Sequence, residues 1–530
     1  MDTIWQDIRH GARVLLKNPG FTIVAVLTLA LGIGANAAIF SVVNAFLLRP
    51  LPVREPDQLM AVANSHPENQ EPHRISYLDY LDYSAQSDAF TDLAATKMDF
   101  LGISADGHAD RVFAAFVTGN YFSMLGVQPA LGRLLLPGEG KTPGTDPVVV
   151  LGNEYWRKHF GGDPSVVGKA VTVNGHPCTI VGVVDATFHG TFSLADTQAY
   201  LPFGMASIDP LSKDTFTKRD DHGQIVWGRL KPGVSPQAAQ ASLQVIAKNL
   251  EQQYPASNKG IRMYVIPEHL ARPEPQSAGQ APVVASVFLG LVGLVLLVAC
   301  VNVVNLLLSR ATGRSKELAI RAALGAGRMR LVRQMLTECV LLSLVGGVAG
   351  AAAGIWTSRM LGNIQLPGDI PFRLDFSFDW RVFAYSAAIA LVAGLIAGLV
   401  PALRASRTDV HDAVREGGRG NTGDGHHRLR DALVVAQVAG CLVLLVAAGL
   451  FVRSLNNARG VELGFQPDHL LILSMDPAQQ GYDEVRGREF FKQVEDRARA
   501  SGGRVCDHLL YVSDELRQSE RVYPPGGTNA

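Results

Sequence analysis

This sequence is short of charge, of cysteine and of complete chemical motifs, and each shortage excludes something. Charged residues make up 18% of the 530, and 48 Lys plus Arg balance 48 Asp plus Glu, so the formal net charge is zero. No global basic field exists to hold nucleic acid, and no nucleic-acid partner is expected. The five cysteines give no disulfide framework: Cys300, Cys339 and Cys441 fall in apolar runs, while Cys178 and Cys506 lie elsewhere. No His-Glu-x-x-His and no Cys pair at zinc-ligand spacing occurs, so no metal site is expected. His426-His427 beside Asp424 sit in a glycine-rich stretch and read as solvated polar residues. A complete phosphate-binding loop is missing too. Gly138-Glu139-Gly140-Lys141-Thr142 imitates the end of one, but the motif needs a glycine where Leu135 stands. No catalytic residue and no cofactor are therefore expected. Any ATP hydrolysis that drives this chain must come from another chain.

What the sequence has is apolar length. Residues 1–20 form an amphipathic start carrying Arg9, Arg13 and Lys17, and residues 21–48 follow without one charge. A helix rises 1.5 Å per residue, so about 20 residues cross a hydrocarbon core of roughly 30 Å. The run is too long for the apolar region of a signal peptide, about 7–15 residues, and reads as a retained first span. Four more runs qualify, at 283–308, 334–357, 382–403 and 433–452. The N-terminal segment, the loop 309–333 and the loop 404–430 carry three, seven and six Lys or Arg; the loop 359–381 carries three, with three Asp. The positive-inside rule then predicts a cytoplasmic N-terminus, two cytoplasmic basic loops and an extracytoplasmic segment 49–282. The expected fold is a membrane protein of all-α transmembrane helices, about five, with an α+β extracytoplasmic domain. Its expected divisions are 1–20, a first span 21–48, the outer domain 49–282, a three-span region 283–403, a cytoplasmic linker 404–430, a fifth span 431–453, and 454–530.

Gly346, Gly350 and Gly354 recur every four residues, as do Gly394 and Gly398, a spacing that lets helix backbones approach and predicts a packing ridge. Asn36, Asn44, Asn302 and Asn305 lie inside spans and are expected to hydrogen-bond between helices. In the outer segment, residues 148–151 read as a strand before a helix. Asn174-Gly175 between two alternating apolar runs, 169–173 and 178–184, predicts a hairpin on a type I′ turn. Ser235-Pro236 predicts a capped helix start, with Ala239, Leu243, Ile246 and Leu250 on one face. His73, Asp79, Asp82 and His189 are scattered and are expected to be structural or surface residues.

The stretch 309–338 lies between two apolar runs and is crowded with cations: Arg310, Arg314, Lys316, Arg321, Arg328, Arg330 and Arg333 against Glu317 and Glu338. Ser315 is a good N-cap, Glu317 falls in the first turn where the helix dipole favours an anion, and Glu317 pairs with Arg321 at i,i+4. Gly325 and Gly327 stop the helix. Arg314, Glu317, Leu318, Ala319, Ile320, Arg321, Ala323, Leu324, Gly325 and Ala326 closely resemble the cytoplasmic segment after the second span in FtsX-like permeases of the MacB type. Residues 119–135 and 168–184 resemble segments of the MacB-like extracytoplasmic core domain. The resemblance implies that residues 314–326 form a coupling helix gripped by an ATP-binding-cassette ATPase in trans. It implies a permease in the bacterial inner membrane, surrounded by lipid, working as a homodimer or with a related permease. In that family ATP-driven mechanotransmission exports substrates gathered outside the inner membrane, among them antibiotics, peptides and lipoproteins.

A second start follows residue 430: a basic lead-in, a span, then Pro467-Asp468-His469-Leu470 placed as Pro56-Asp57-Gln58-Leu59 is after the first span. This resembles the duplicated, acidobacterial orphan permeases of the family. A second outer domain as long as the first does not follow, and the tail 501–530 lacks periodicity, so a truncation or frameshift near residue 500 is expected. The competing expectations are a signalling or scaffold membrane protein that regulates an extracytoplasmic enzyme, and a non-functional fragment.

Overall fold

The structure is a computed structural model that describes residues 2–44, 49–105, 108–192, 194–209, 212, 214–313, 328–362, 380–405, 424–460, 477, 482 and 484–500. They fold as two units, one helical and one built on a sheet.

In the sheet unit, eleven strands form one mixed sheet. They are β1 (Leu59–His66), β2 (Asn69–His73), β3 (Phe90–Ala105), β4 (His108–Val117), β5 (Pro129–Gly132), β6 (Val148–Leu151), β7 (Ala170–Val173), β8 (His176–Val184), β9 (Ala199–Pro202), β10 (Ile225–Leu230) and β11 (Arg262–Pro267). The order is β11-β1-β10-β3-β4-β9-β6-β8-β5, with β2 added on β1 and β7 pairing both β3 and β8. The pairs β4–β9 and β6–β8 are parallel. Among the described residues five α-helices lie between the strands: α3 (Tyr77–Gln86), α4 (Tyr121–Leu125), α5 (Asn153–His159), α6 (Pro236–Gln253) and α7 (Pro255–Asn258).

Both faces of the sheet are buried, and strand alternation divides them. Met60 and Val62, Ala114 and Phe116, Val149 and Leu151 enter one core with Leu243 and Ile246 of α6. Their neighbours Leu59 and Ala61, Ala115 and Val117, and Val150 enter another, around Trp227, Tyr121, Phe122 and Tyr200. That is why these strands read as continuous apolar runs. Local signals carry through. Asn174 and Gly175 take positive φ of 45° and 79° in the turn between β7 and β8, the backbone a type I′ turn requires. Ser235 Oγ accepts the Ala238 N–H at 3.2 Å, Pro236 stands in the first helical turn, and Ala239, Leu243, Ile246 and Leu250 are the buried face of α6.

The helical unit contains α1 (Asp2–Lys17), α2 (Pro19–Val43), α8 (Ala281–Gly313), α9 (Arg328–Gly362), α10 (Trp380–Ala405) and α11 (Asp424–Arg459). Four stretches among the described residues are long and apolar enough to cross a membrane: Pro19–Val43, Ala281–Leu307, Leu336–Met360 and Asp431–Arg459. The span expected at 382–403 lies within α10, whose shorter apolar stretch is Trp380–Val392. Several helices outrun their apolar windows, because intrahelical hydrogen bonds continue into polar flanks where hydropathy has ended. α11 therefore begins at Asp424, and residues 424–430, read from sequence as unstructured linker, are its first two turns. A further helix, α12 (Glu484–Ala500), belongs to the sheet unit.

Candidate coupling site

α8 ends at Gly313 and α9 begins at Arg328. Residues 314–327 between them, and with them Arg314, Glu317, Leu318, Ala319, Ile320, Arg321, Ala323, Leu324, Gly325 and Ala326, lie outside the described residues. What the structure defines is the helical framework to which that segment is attached.

The first turns of α9 are tied to α1. Arg333 Nε donates to Asp7 Oδ2 at 2.6 Å, with the Asp7 side chain only 11% exposed. Gly11 of α1 sits so close to α9 that a Cβ there would come 2.8 Å from Leu341 Cδ1. Farther along, α9 lies on α2 through small residues. A Cβ on Gly346 would fall 2.7 Å from Leu29 Cβ, and one on Gly350 2.8 Å from Ile33 Cβ. From the α2 side, Gly34 faces Ala353 Cβ and the carbonyl oxygen of Gly350. Gly354 backs the same contact through its backbone nitrogen, 3.6 Å from where a Gly34 Cβ would be. Gly394 and Gly398 lie on α10, where their packing is outside the described residues.

Polar side chains join the helices at depth. Asn36 Nδ2 of α2 donates to Ser386 Oγ of α10 at 2.7 Å, and Asn305 Nδ2 of α8 donates to Gln437 Oε1 of α11 at 3.1 Å. The partners Ser386 and Gln437 escape notice in sequence because a single serine or glutamine hardly lowers the hydropathy of its run. Asn302 Oδ1 is buried without a partner, so the sequence expectation for that residue does not hold at its oxygen. Asn36 and Asn44 also line a cavity of about 1010 Å³ between α2, α8 and α10, otherwise walled mainly by apolar side chains such as Phe40 and Leu296.

The remaining chemical candidates are absorbed by structure. Around Gly138–Thr142 two backbone donors are taken by the chain's own carboxylates. Gly140 N–H donates to Asp146 Oδ2 at 2.9 Å and Leu136 N–H to Glu139 Oε2 at 2.8 Å, while Arg133 holds Glu139. Asp79 and Asp82 of α3 converge on Arg219, at 2.7 and 2.6 Å. His189 pairs with Asp196 at 2.8 Å, and His73 Nδ1 meets Gln276 Nε2 at 2.8 Å. The side chains of Asp424, His426 and His427 lie outside the described residues. Among the described residues no group of three or more His, Cys, Asp or Glu could hold a metal ion.

One acid pair does stand out. Asp99 of β3 shares a hydrogen bond with Asp209. Ser212 Oγ donates to Asp209 Oδ2 and accepts from Lys97 Nζ, both at 2.7 Å. Burial pushes the Asp99 carboxyl up to about 7, the Asp209 charge and hydrogen bond push the same way, and the Phe100 N–H and Lys97 oppose them. A carboxyl whose folded pKa is raised stabilises the fold fully below its unfolded value near 3.8 and loses that contribution as pH rises toward 7. Asp99→Asn should therefore flatten the stability of the sheet unit between about pH 4 and 7. At pH 7.5 it should gain on the order of 1–2 kcal/mol, after discounting for solvent screening. Urea unfolding at a series of pH values measures this, and an unchanged slope would exclude the shared proton.

Against known families, residues 22–246 match the model of the MacB-like periplasmic core domain and residues 289–410 that of the FtsX-like permease C-terminal region. The chain is 28% identical over 309 residues to the pyoverdine export ATP-binding/permease protein PvdT of Pseudomonas syringae, covering 57% of this chain and 41% of that one. It is 30% identical over 274 residues to the macrolide export ATP-binding/permease protein MacB of Chromobacterium violaceum, covering 50% and 38%. Against the ABC transporter permease YknZ of Bacillus subtilis it is 27% identical over 255 residues, covering 47% and 57%. The chain thus spans about two fifths of the length of the exporters it matches. Among solved structures, the periplasmic region of MacB from Actinobacillus actinomycetemcomitans aligns over 40% of this chain and 89% of that one, with 16% identity and a TM-score of 0.30.

Proposed function

This chain belongs to the MacB-like and FtsX-like ABC permeases, and we propose that it is the permease subunit of an efflux system that couples a partner ATPase to its MacB-like core domain. In this reading the N-terminus and residues 314–326 face the cytoplasm, and residues 49–282 face the periplasm. The ATPase dimer grips the coupling segment and closes on ATP. Helices α8 and α9, which carry the segment at their ends, pass the displacement onward as a rigid-body motion. The cargo is an extracytoplasmic substrate of the kind that the related exporters move.

The observation that carries the proposal is the way α9 is fastened. Its first turns are clamped to α1 by Arg333 and Asp7, and its glycine face lies flush on α2. A push delivered near residue 327 meets helices already in van der Waals contact, so little of it is lost in taking up slack. Glu317→Lys removes the acid at the start of the coupling segment and inverts its i,i+4 pairing with Arg321. It should abolish co-purification with the cognate ATPase while leaving the amount of membrane-inserted protein unchanged. Undiminished capture of the ATPase by the variant would sink the coupling assignment. Orientation has its own check: a cysteine placed near Asn174, at exposed Thr172, should react with an impermeant thiol reagent in intact spheroplasts, and labelling only after lysis would reverse it.

A further inference from the structure

β1 ends on His66, and His222 lies in the turn that leads into β10. The two strands pair antiparallel with Val62 opposite Val226. Past Val62 that side of β1 is taken by β2, with Asn64 opposite His73 and His66 opposite Asn69, while Gln224 bridges Ile75, so the two histidines meet through their side chains. Alternation puts Asn64 and His66 on the face of Met60 and Val62. The imidazoles meet there. His66 Nε2 and His222 Nε2 are 3.1 Å apart, with ring centroids 4.6 Å apart and planes at 68°.

We propose that His66 and His222 are the two protein ligands of a site for a borderline divalent transition-metal ion of the Zn²⁺, Cu²⁺ or Ni²⁺ class. With metal–nitrogen bonds of about 2.0–2.1 Å, two imidazoles on one ion have nitrogens about 2.9 Å apart at a right angle and about 3.3 Å apart at the tetrahedral angle. The observed 3.1 Å falls between them. The rings also lean. A head-to-head N–H···N bond with both lone pairs on one line would hold the centroids about 5.4 Å apart. They stand closer than that, as two imidazoles tilted onto a shared ion do. Neutral imidazole selects this class of metal over Mg²⁺ and Ca²⁺, which prefer oxygen.

Two further observations point to a missing ligand. Asn64 is fully buried, and neither atom of its amide has a hydrogen bond. Asp79 Oδ2 is likewise buried and unpartnered, and Asp79 lies close enough for its charge to act on His222. Both histidines keep partial exposure, so an ion can enter and water can complete its coordination. Bound there, the ion would pin the turn before β10 to the end of β1.

The test uses the full chain in detergent, purified without a polyhistidine tag. Isothermal titration with Zn²⁺ should find one site per chain that Mg²⁺ neither fills nor blocks. His66→Gln and His222→Gln should each weaken it by about tenfold or more, while His189→Gln should leave it unchanged. Zn²⁺ affinity unchanged from the parent in both glutamine variants, or no saturable binding to the parent protein, would overturn the site. Should either variant fail to fold, electron paramagnetic resonance of Cu²⁺ on the parent protein still decides. Coupling to two imidazole nitrogens supports the site, and coupling to one or none removes it.

Discussion

Arg219→Met should destabilise the sheet unit by about 3–5 kcal/mol, the loss expected when one partner of a buried ion pair is removed. Asp79 has no solvent exposure, and its Oδ1 takes a charged hydrogen bond from Arg219 at 2.7 Å beside a neutral one from Asn258 Nδ2 at 2.9 Å. The other guanidinium nitrogen holds Asp82 at 2.6 Å, and the group lies 3.8 Å above the Tyr254 ring. Burial works against the Arg219 charge, yet the hydrogen bonds to Asp82 and Asp79 outweigh it and raise the pKa. Methionine keeps the stem and part of the contact with Tyr254 but leaves a buried carboxylate with only amide support. The sign of the rescue separates charge from packing. Asp79→Asn on the Arg219→Met background should recover most of the loss, because the orphaned charge goes with it. Urea unfolding of the two variants measures both, and a double variant no more stable than the single one would show that Arg219 acts by packing.

That cluster also marks where sequence reading stops. The hairpin at Asn174-Gly175 and the start of α6 at Ser235-Pro236 were legible because each is encoded within a few residues by a backbone requirement: positive φ in one, a cap and a proline in the other. The membrane helices were legible because apolar length is additive along the chain. Arg219 lies 140 residues from Asp79, and His66 lies 156 from His222. Nothing local records such a pairing. It is created by the sheet order, in which β1 neighbours β10 rather than β3, its successor in the central run of strands. The interhelical bond from Asn36 to Ser386 has the same character: the donor could be nominated from its odd polarity, but its acceptor is 350 residues away. The stretch 314–326 could be read only through its resemblance to the coupling segment of MacB-type permeases, and it lies outside the described residues.

Gly350→Leu should force α9 and α2 apart, with a loss of about 2–3 kcal/mol. A Cβ at 350 would stand 2.8 Å from Ile33 Cβ and 2.9 Å from Ile33 Cγ2, with the Ala30 carbonyl oxygen at 3.4 Å. Ile33 Cβ is fixed to its backbone and cannot swing away as the tip of a long side chain could. Relief requires the helices themselves to separate, which also loosens the neighbouring contact of Gly346 on Leu29. Gly290 of α8 is the control, because nothing lies within 4 Å of where its Cβ would be. Leucine improves intrinsic helix propensity by a little under 1 kcal/mol at either site, so Gly290→Leu should be neutral or slightly stabilising and any loss at 350 reports the contact. Thermal unfolding in detergent compares them. If α9 transmits force through this contact, Gly350→Leu should still capture the partner ATPase, since residues 314–326 are untouched, while ATP-dependent export falls severalfold. Full export from a Gly350→Leu variant with a lowered unfolding temperature would separate helix packing from coupling, and the transmission route would have to run through α8 instead.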